Sequence, residues 1–188
     1  ETELRYPFLF ELDICWKLIE DTLQITYQVR NKDTKTMYFG IGGHPGFCVP
    51  IADGLAFEDY CIDFGENAQL SQVVLSDDCF VKENVDNRYL PLQHGLFDRD
   101  AIVLNEMPKS LMIESIKDCR KIRVVYEDMN YLGIWHWPKM KVNYVCIEPW
   151  SSLPSRKGIT EDLETQPNLL RLESGCEYRN TWSITIEK

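Results

Sequence analysis

A strict alternation of apolar and polar side chains runs through Glu11-Leu12-Asp13-Ile14-Cys15-Trp16-Lys17-Leu18. It resumes after the polar break Glu20-Asp21 in Leu23-Gln24-Ile25-Thr26-Tyr27-Gln28-Val29-Arg30. Alternation with period two is typical of a β-strand, because successive side chains point to opposite faces of the sheet. Two such runs on either side of a short polar break predict an antiparallel hairpin with one face towards water.

Further strand candidates follow this hairpin at regular intervals, with turn-rich stretches such as Glu66-Asn67 between them. They are Met37–Ile41, Tyr60–Phe64, Gln72–Leu75, Ala101–Asn105, Leu111–Ser115, Ile122–Tyr126, Tyr131–Trp135, Tyr144–Ile147 and Trp182–Ile186. The one helix predicted is a short one near Thr160–Leu163. Many strands with short polar joints indicate an all-β, antiparallel sandwich. A length of 188 residues suits one domain over residues 1–188.

The charge balance of the chain excludes some classes of partner. With 30 acidic and 20 basic residues, the formal net charge is −10. A nucleic acid or an anionic membrane surface needs a concentrated positive patch, and the sequence contains no Lys/Arg run that could make one. No apolar run approaches the roughly 20 residues that span a bilayer. We therefore expect neither a nucleic-acid nor a membrane partner.

The cysteines favour a reducing compartment. There are seven of them, at wide spacings and without a Cys-x-x-Cys pair. An odd count at such spacings argues against a disulfide framework and against a zinc site. None of the three histidines shows metal-ligand spacing with another. We therefore predict reduced, mostly buried thiols, a cytoplasmic location and no metal or other cofactor.

Two short motifs carry groups that move protons near neutral pH. They are Ile41-Gly42-Gly43-His44-Pro45-Gly46-Phe47 and Cys146-Ile147-Glu148-Pro149-Trp150. A proline follows His44 and Glu148 directly, which favours extended backbone at both residues. An imidazole and a carboxylate form a common acid–base pair, and burial in a cleft would raise the pKa of Glu148. Each has an ordinary alternative: a loop histidine bonded to a carbonyl, or a strand-end carboxylate in water or paired with an arginine.

Aromatic and charged residues elsewhere suggest a sugar ligand. Phe47 and Trp150 lie close in sequence to the two proton carriers, and Trp135 belongs to the aromatic-rich stretch Tyr131–Pro138. Such rings could stack on the C–H face of a sugar, although packing in the core is the simpler explanation. Asp98 and Asp100 flank Arg99, and an Asp or an Arg suits bidentate binding of vicinal hydroxyls, with a solvated turn and a local ion pair as the alternative.

At these residues the sequence resembles the aldose 1-epimerase (galactose mutarotase) family, on its LacX-like branch. The matching segments are Phe39–Phe47, Leu90–Leu92 with Leu96–Ala101, Leu132–Trp135 and Val145–Trp150. They occur in the order of the family and cover most of the chain, and the first and last are the most specific. The resemblance implies a galactose mutarotase-like β-supersandwich.

The resemblance also implies a reaction and residue roles. The family interconverts the α and β anomers of an aldohexose such as galactose or glucose, without a cofactor. By this analogy, His44 protonates the ring oxygen and Glu148 takes the proton from the C1 hydroxyl. Independently of the analogy, a carboxylate and an imidazolium on opposite sides of the sugar could carry out both transfers at once. Asp98 falls near the family's substrate-binding aspartate, with Asp100 as the alternative, and Phe47, Trp135 and Trp150 complete the predicted substrate contacts.

The family has an N-terminal part, with a sugar-binding arginine and a second histidine, that does not map onto this sequence. The resemblance therefore implies a sandwich that is incomplete at its N-terminus, with a homodimer or a complementing N-terminal segment as candidate partners. A non-catalytic carbohydrate-binding sandwich is an alternative function. A hexose-6-phosphate epimerase is another, for which Arg99 alone offers little positive charge.

Overall fold

The computed structural model describes residues 5–66, 68–75, 80–85, 88–156 and 158–188. Within these ranges the regular secondary structure is almost entirely β-strand. The strands are β1 (Phe10–Ile19), β2 (Thr22–Asn31), β3 (Met37–Phe39), β4 (Gly46–Cys48), β5 (Cys61–Asp63), β6 (Leu70–Leu75), β7 (Phe80–Val85), β8 (Tyr89–Pro91), β9 (Ile102–Asn105), β10 (Ser110–Ser115), β11 (Asp118–Val125), β12 (Tyr131–Trp135), β13 (Tyr144–Trp150), β14 (Leu170–Leu172) and β15 (Glu177–Glu187). Two short 3₁₀ turns cover Phe57–Asp59 and His94–Phe97.

The strands form two large antiparallel sheets. A seven-stranded sheet has the order β1-β2-β15-β11-β10-β5-β8, and a six-stranded sheet has the order β4-β13-β12-β9-β6-β7, while β3 and β14 form a small separate pair. One apolar cluster joins Ile25, Ile113 and Val124 of the first sheet to Leu132 and Ile147 of the second. The two sheets therefore pack face to face, and the prediction of an all-β antiparallel sandwich is confirmed.

The predicted hairpin forms, but its first strand is exposed on both faces. β1 pairs with β2 along its whole length, with Ile14 opposite Tyr27 and Trp16 opposite Ile25. Paired residues in an antiparallel sheet point to the same face, so the apolar residues of β1 point to the side that is buried in β2. Trp16 is nevertheless 65% exposed and Leu18 is 73% exposed. β1 is therefore the edge strand of the seven-stranded sheet, and its apolar side chains are largely exposed.

Two smaller predictions are wrong. Residues 160–163 form no helix. Instead, the side-chain carboxylate of Asp162 accepts a hydrogen bond from the Glu164 N–H, and the backbone carbonyl of Asp162 accepts one from the Thr165 N–H. Such local bonds offer the backbone an alternative to a helical turn. Of the six described cysteines, all free thiols, Cys146 is buried, Cys61 is half-buried and four are exposed, so the thiols are not mostly buried.

Two further observations bear on the sequence predictions. Asn67, in a predicted turn, and Cys79 lie outside the described residues. Within the described ranges, no helix combines the length and the apolar character needed to cross a membrane.

Candidate active site

A single strand register brings His44 to Glu148. In the ladder between β4 and β13, Cys48 lies opposite Tyr144 and Gly46 opposite Cys146. The same register reappears at the isolated bridge between Gly42 and Trp150. His44 therefore lies opposite Glu148, and its Nε2 is 3.1 Å from the Glu148 Oε1 atom. The two proton carriers predicted from sequence lie side by side, rather than far apart across a ligand.

Backbone hydrogen bonds hold the segment before His44 against the end of β13. The Gly43 N–H donates to the Pro149 carbonyl at 2.9 Å, and the Ser151 N–H donates to the Ile41 carbonyl at 2.9 Å. A Cβ on Gly42 would lie 2.7 Å from the Pro149 oxygen, and one on Gly43 would lie 2.6 Å from the Trp182 ring. A side chain at Gly42 would push against the backbone of β13, and one at Gly43 would push against the Trp182 ring, so both positions favour glycine.

The alternation of β13 separates a core face from a site face. Val145 and Ile147 are fully buried in the main core. Cys146, Glu148 and Trp150 point to the opposite face of the six-stranded sheet, since they occupy the alternate positions of the strand. Phe47 lies opposite Val145 and belongs to the core cluster. The structure therefore places Phe47 in the core, on the other side of the sheet from Glu148.

The site face carries an open cleft of about 720 Å³. This volume lies within the range of small-molecule sites in proteins. Its lining includes His44, Glu148, Trp135 and Trp150. The other lining residues come from β6, from β9 with the segment before it, and from the loop after β13: Gln72, Val73, Leu96, Arg99, Asp100, Ala101, Ile102, Val103 and Pro154. The cleft thus combines two proton carriers, two indole rings and several groups that can bind hydroxyls.

The two proton carriers have very different environments. The Glu148 side chain is 5% exposed, whereas the His44 side chain is 61% exposed. Among the described residues, the Glu148 Oε1 atom has no hydrogen-bond partner, so its close approach to His44 lacks hydrogen-bond alignment. The Trp135 ring meets the His44 ring edge-on, with centroids 5.9 Å apart. The Glu148 carboxylate is therefore shielded from solvent, whereas the His44 imidazole faces solvent and has room to move.

The pKa of Glu148 is raised above its usual value. Burial is the largest cause; the nearby His44 lowers the pKa, the charge of Asp100 raises it, and a hydrogen bond from the Trp150 side chain lowers it. Desolvation disfavours the ionised carboxylate and makes it a stronger base when it is ionised. This is the type of perturbation that is common at catalytic sites.

The two candidate aspartates have different positions. Asp100 lines the cleft and has a backbone φ of 96°, which is unusual for a residue other than glycine. Asp98 is exposed, and its Oδ1 accepts a hydrogen bond from the Lys139 N–H at 3.1 Å. Asp98 does not line the cleft. Local strain of this kind is concentrated at functional sites, which favours Asp100 as the residue that contacts a ligand.

Three residues of the site with polar or thiol side chains lie outside the predicted set of site residues. Arg99 and Gln72 both line the cleft. Arg99 lies between the two predicted aspartates, so its position in the motif is a usable signal, whereas Gln72 has none beyond a place in a predicted strand. Cys146, with His44 and Glu148, completes a group whose ligand atoms all lie within 4.8 Å of one another. Cys146 shares the strand face of Glu148, which the alternation of β13 could have indicated.

The absence of a side chain at Gly133 leaves room on β12 for the side chains of Glu148 and Trp150. A Cβ on Gly133 would lie 2.7 Å from the Trp150 ring and 3.3 Å from the Glu148 Cβ. We expect Gly133→Ala to lower the free energy of unfolding by about 1–3 kcal/mol, because the ring must move. Gly46→Ala is the matched control, since its Cβ would meet Cys146 Sγ at an ordinary 3.7 Å. Equal losses in urea denaturation for the two variants would contradict this packing role.

Comparison with known proteins finds relatives that are similar to this chain in sequence and in structure. LacX of Lactococcus lactis subsp. lactis, in plasmid and chromosomal forms, is 30% identical over 193 residues, which cover 97% of this chain and 64% of LacX. The galactose mutarotase related enzyme of Lactobacillus acidophilus superposes with a TM-score of 0.92 at 29% identity, covering 100% of this chain and 64% of that one. A galactose mutarotase-like protein of Lactobacillus casei gives a TM-score of 0.88 at 25% identity, covering 99% of this chain and 66% of that one.

No protein-family model matches the chain. The chain spans 64% of the length of the LacX proteins it matches. The similarity nevertheless extends over almost the whole of this chain, in sequence as well as in fold. The chain is therefore a homologue of LacX and of these galactose mutarotase-related proteins, in agreement with its resemblance to the LacX-like branch of the aldose 1-epimerase (galactose mutarotase) family.

Proposed function

We propose that this chain is an aldose 1-epimerase-like isomerase, which interconverts the α and β anomers of an aldohexose with Glu148 as base and His44 as acid. The observation that carries the proposal is the contact between a buried carboxylate and an exposed imidazole in an open cleft, 3.1 Å apart. The names of the Lactobacillus relatives point in the same direction.

The arrangement suits the proton movements of ring opening. The Glu148 carboxylate takes the proton from O1, the C1–O5 bond breaks as C1 becomes an aldehyde carbon, and the protonated His44 imidazole gives its proton to O5. Because O1 and O5 are both bonded to C1, two carriers that lie side by side can reach both atoms. Rotation about C1–C2 and the reverse transfers close the ring on the other face, so both residues regain their starting states.

The two carriers must separate slightly when a sugar enters. Their mutual contact fills the position where O1 and O5 would lie. His44 can move because its side chain is 61% exposed, whereas the carboxylate of Glu148 stays in place within the sheet. A sugar that displaces water from the cleft would strengthen the interactions of both groups with the reacting oxygens, since charge interactions are stronger where water is excluded.

The other cleft residues would bind the sugar. The Trp135 and Trp150 rings offer flat apolar surfaces for the C–H face of a pyranose. Asp100, Arg99 and Gln72 supply acceptors and donors for its hydroxyls. Such a mixture of aromatic surface and a few convergent polar groups is common in sites for small polar ligands.

Polarimetry on freshly dissolved α-galactose and α-glucose tests the proposal. The chain should accelerate the approach to the equilibrium rotation above the rate in buffer, and the acceleration should increase in proportion to protein concentration. A rate equal to that in buffer would overturn it. If either sugar then quenched tryptophan fluorescence in a saturable way, the alternative of a non-catalytic sugar-binding protein would replace it.

The influence of Asp100 on Glu148 gives a pH prediction. The base works only when it is ionised, so kcat/KM falls as the pH falls through the pKa of Glu148. The charge of Asp100 raises that pKa. Asp100→Asn should therefore move the acid limb of the profile to lower pH, as well as weaken sugar binding. Asp98→Asn, which alters a residue outside the cleft lining, is the control. A limb that stays in place in Asp100→Asn would contradict the electrostatic coupling.

A further inference from the structure

We propose that His44, Cys146 and Glu148 bind a thiophilic divalent metal ion such as Zn²⁺, and that the occupied site cannot take part in proton transfer. The three side chains offer an imidazole nitrogen, a thiol sulfur and a carboxylate oxygen, and these atoms all lie within 4.8 Å of one another. The binding itself follows from the geometry of the cluster. Its inhibitory effect rests on the proposed function.

The register of β4 and β13 builds the cluster. Cys146 and Glu148 are alternate residues of β13 and point to the same face, and His44 lies opposite Glu148. A tetrahedral zinc ion with bonds of about 2.0–2.3 Å holds its ligand atoms roughly 3.3–3.8 Å apart. The cluster therefore needs a closure of roughly 1–1.5 Å at most. His44, the exposed member of the three, can adjust its own distances to the two ligand atoms on β13.

The buried carboxylate gives a second and independent reason for a cation. The Glu148 side chain is 95% removed from solvent, and among the described residues its Oε1 atom accepts no hydrogen bond. A buried charged oxygen without a partner is costly, and a bound cation would compensate it. The atom points to the side where the imidazole of His44 lies.

The donor set selects the kind of metal. Sulfur and imidazole nitrogen favour Zn²⁺ and similar transition ions, whereas Mg²⁺ and Ca²⁺ prefer oxygen ligands. Three protein ligands leave the fourth tetrahedral position open towards the cleft, as in zinc sites that hold a water molecule. A metal in this position would occupy both proton carriers and would lie where O1 and O5 of a sugar must reach them.

Binding must release the thiol proton. Burial, with a smaller contribution from Glu148, raises the pKa of Cys146 to about 11, so the group is a thiol at neutral pH. The S–H proton leaves to solvent as the metal–sulfur bond forms, and His44 binds through a neutral nitrogen.

Titration of the reduced, metal-free protein with Co²⁺ and then Zn²⁺ tests the proposal. Co²⁺ bound through a thiolate gives a sulfur-to-cobalt charge-transfer band in the near ultraviolet, and Zn²⁺ should abolish this band by displacement. Cys146→Ser should lose the band and weaken Zn²⁺ binding by more than about tenfold, since even outer residues of metal sites contribute 10–100-fold. Cys146→Ala serves the same purpose if the serine variant folds poorly.

Cys61→Ser is the matched control. Cys61 is half-buried, and burial raises its pKa as it does that of Cys146, but Cys61 lies in β5 of the seven-stranded sheet, away from the cluster. It should keep both the band and the affinity. Absence of the band in the wild-type protein would overturn the proposal, and so would its persistence in Cys146→Ser and Cys146→Ala. These readouts do not require activity. In an active protein, Zn²⁺ should also inhibit mutarotation, and a chelator should restore it.

Discussion

Replacement of Glu148 by glutamine is expected to reduce kcat for mutarotation by about 10²–10⁴-fold, the usual contribution of a general base. The amide keeps the shape of the side chain but cannot accept the O1 proton. Initial rates by polarimetry, at saturating α-galactose and at neutral pH, measure the loss. Glu114→Gln is the control. Glu114 is a half-buried carboxylate that pairs with Lys121, and both residues lie in the seven-stranded sheet, whereas Glu148 lies in the six-stranded sheet. Equal kcat for wild type and Glu148→Gln would remove Glu148 from the mechanism.

The same variant should not lose stability at neutral pH. Burial raises the pKa of Glu148 in the folded protein above its value in the unfolded chain. The folded state then binds the proton more tightly, so the free energy of unfolding falls as the pH rises through the interval between the two pKa values. Glu148→Gln removes this loss and should have the higher Tm above that interval, with no advantage below it. A lower Tm at neutral pH would indicate that the ionised carboxylate stabilises the fold.

Replacement of His44 by glutamine is expected to have an effect on kcat of the same order as Glu148→Gln. Loss of the acid that protonates O5 should lower kcat by about 10²–10⁴-fold. Stability should change little, because the His44 side chain is 61% exposed. Tryptophan fluorescence should still report sugar binding, since the Trp135 and Trp150 rings remain in the cleft.

His94→Gln provides the opposite pattern and a matched control. His94 stacks on Phe57 with ring centroids 4.4 Å apart, and its Nδ1 lies 3.3 Å from His136 Nε2. It does not line the cleft. We expect this variant to lose stability in urea denaturation while it keeps kcat. If His94→Gln lost kcat and His44→Gln did not, the assignment of the acid would be wrong.

The strand pattern of this chain was predictable from its sequence because the apolar alternation is strong. The strand predicted at Tyr131–Trp135 has the observed bounds, and the hairpin of β1 and β2 pairs in full. The exposure of β1 was not predictable, because alternation shows which face is apolar but not whether another layer covers it. The bounds of β13 were underestimated, since the strand continues through Pro149 to Trp150.

The candidate site could be predicted only in part. His44 and Glu148 were identifiable as groups that can move protons, each before a proline, but their contact depends on the register between β4 and β13, which no local pattern specifies. The face of the sheet on which Phe47 lies could have been predicted from the sequence. It is an odd number of residues from His44, so on extended backbone it points to the opposite face. Arg99, Gln72 and Cys146 reach the site through the assembly of several strands and loops.

Exchange NMR at equilibrium tests the proposal that His44 and Glu148 act together in one ring-opening step. Magnetisation transfer between the H1 signals of α- and β-galactose measures the interconversion rate with and without protein. The wild type should increase the rate, and the double variant His44→Gln/Glu148→Gln should be about as slow as the slower single variant, because groups that act as a unit are not additive. Exchange with wild-type protein at the rate of sugar alone, or a double variant as fast as wild type, would contradict the claim.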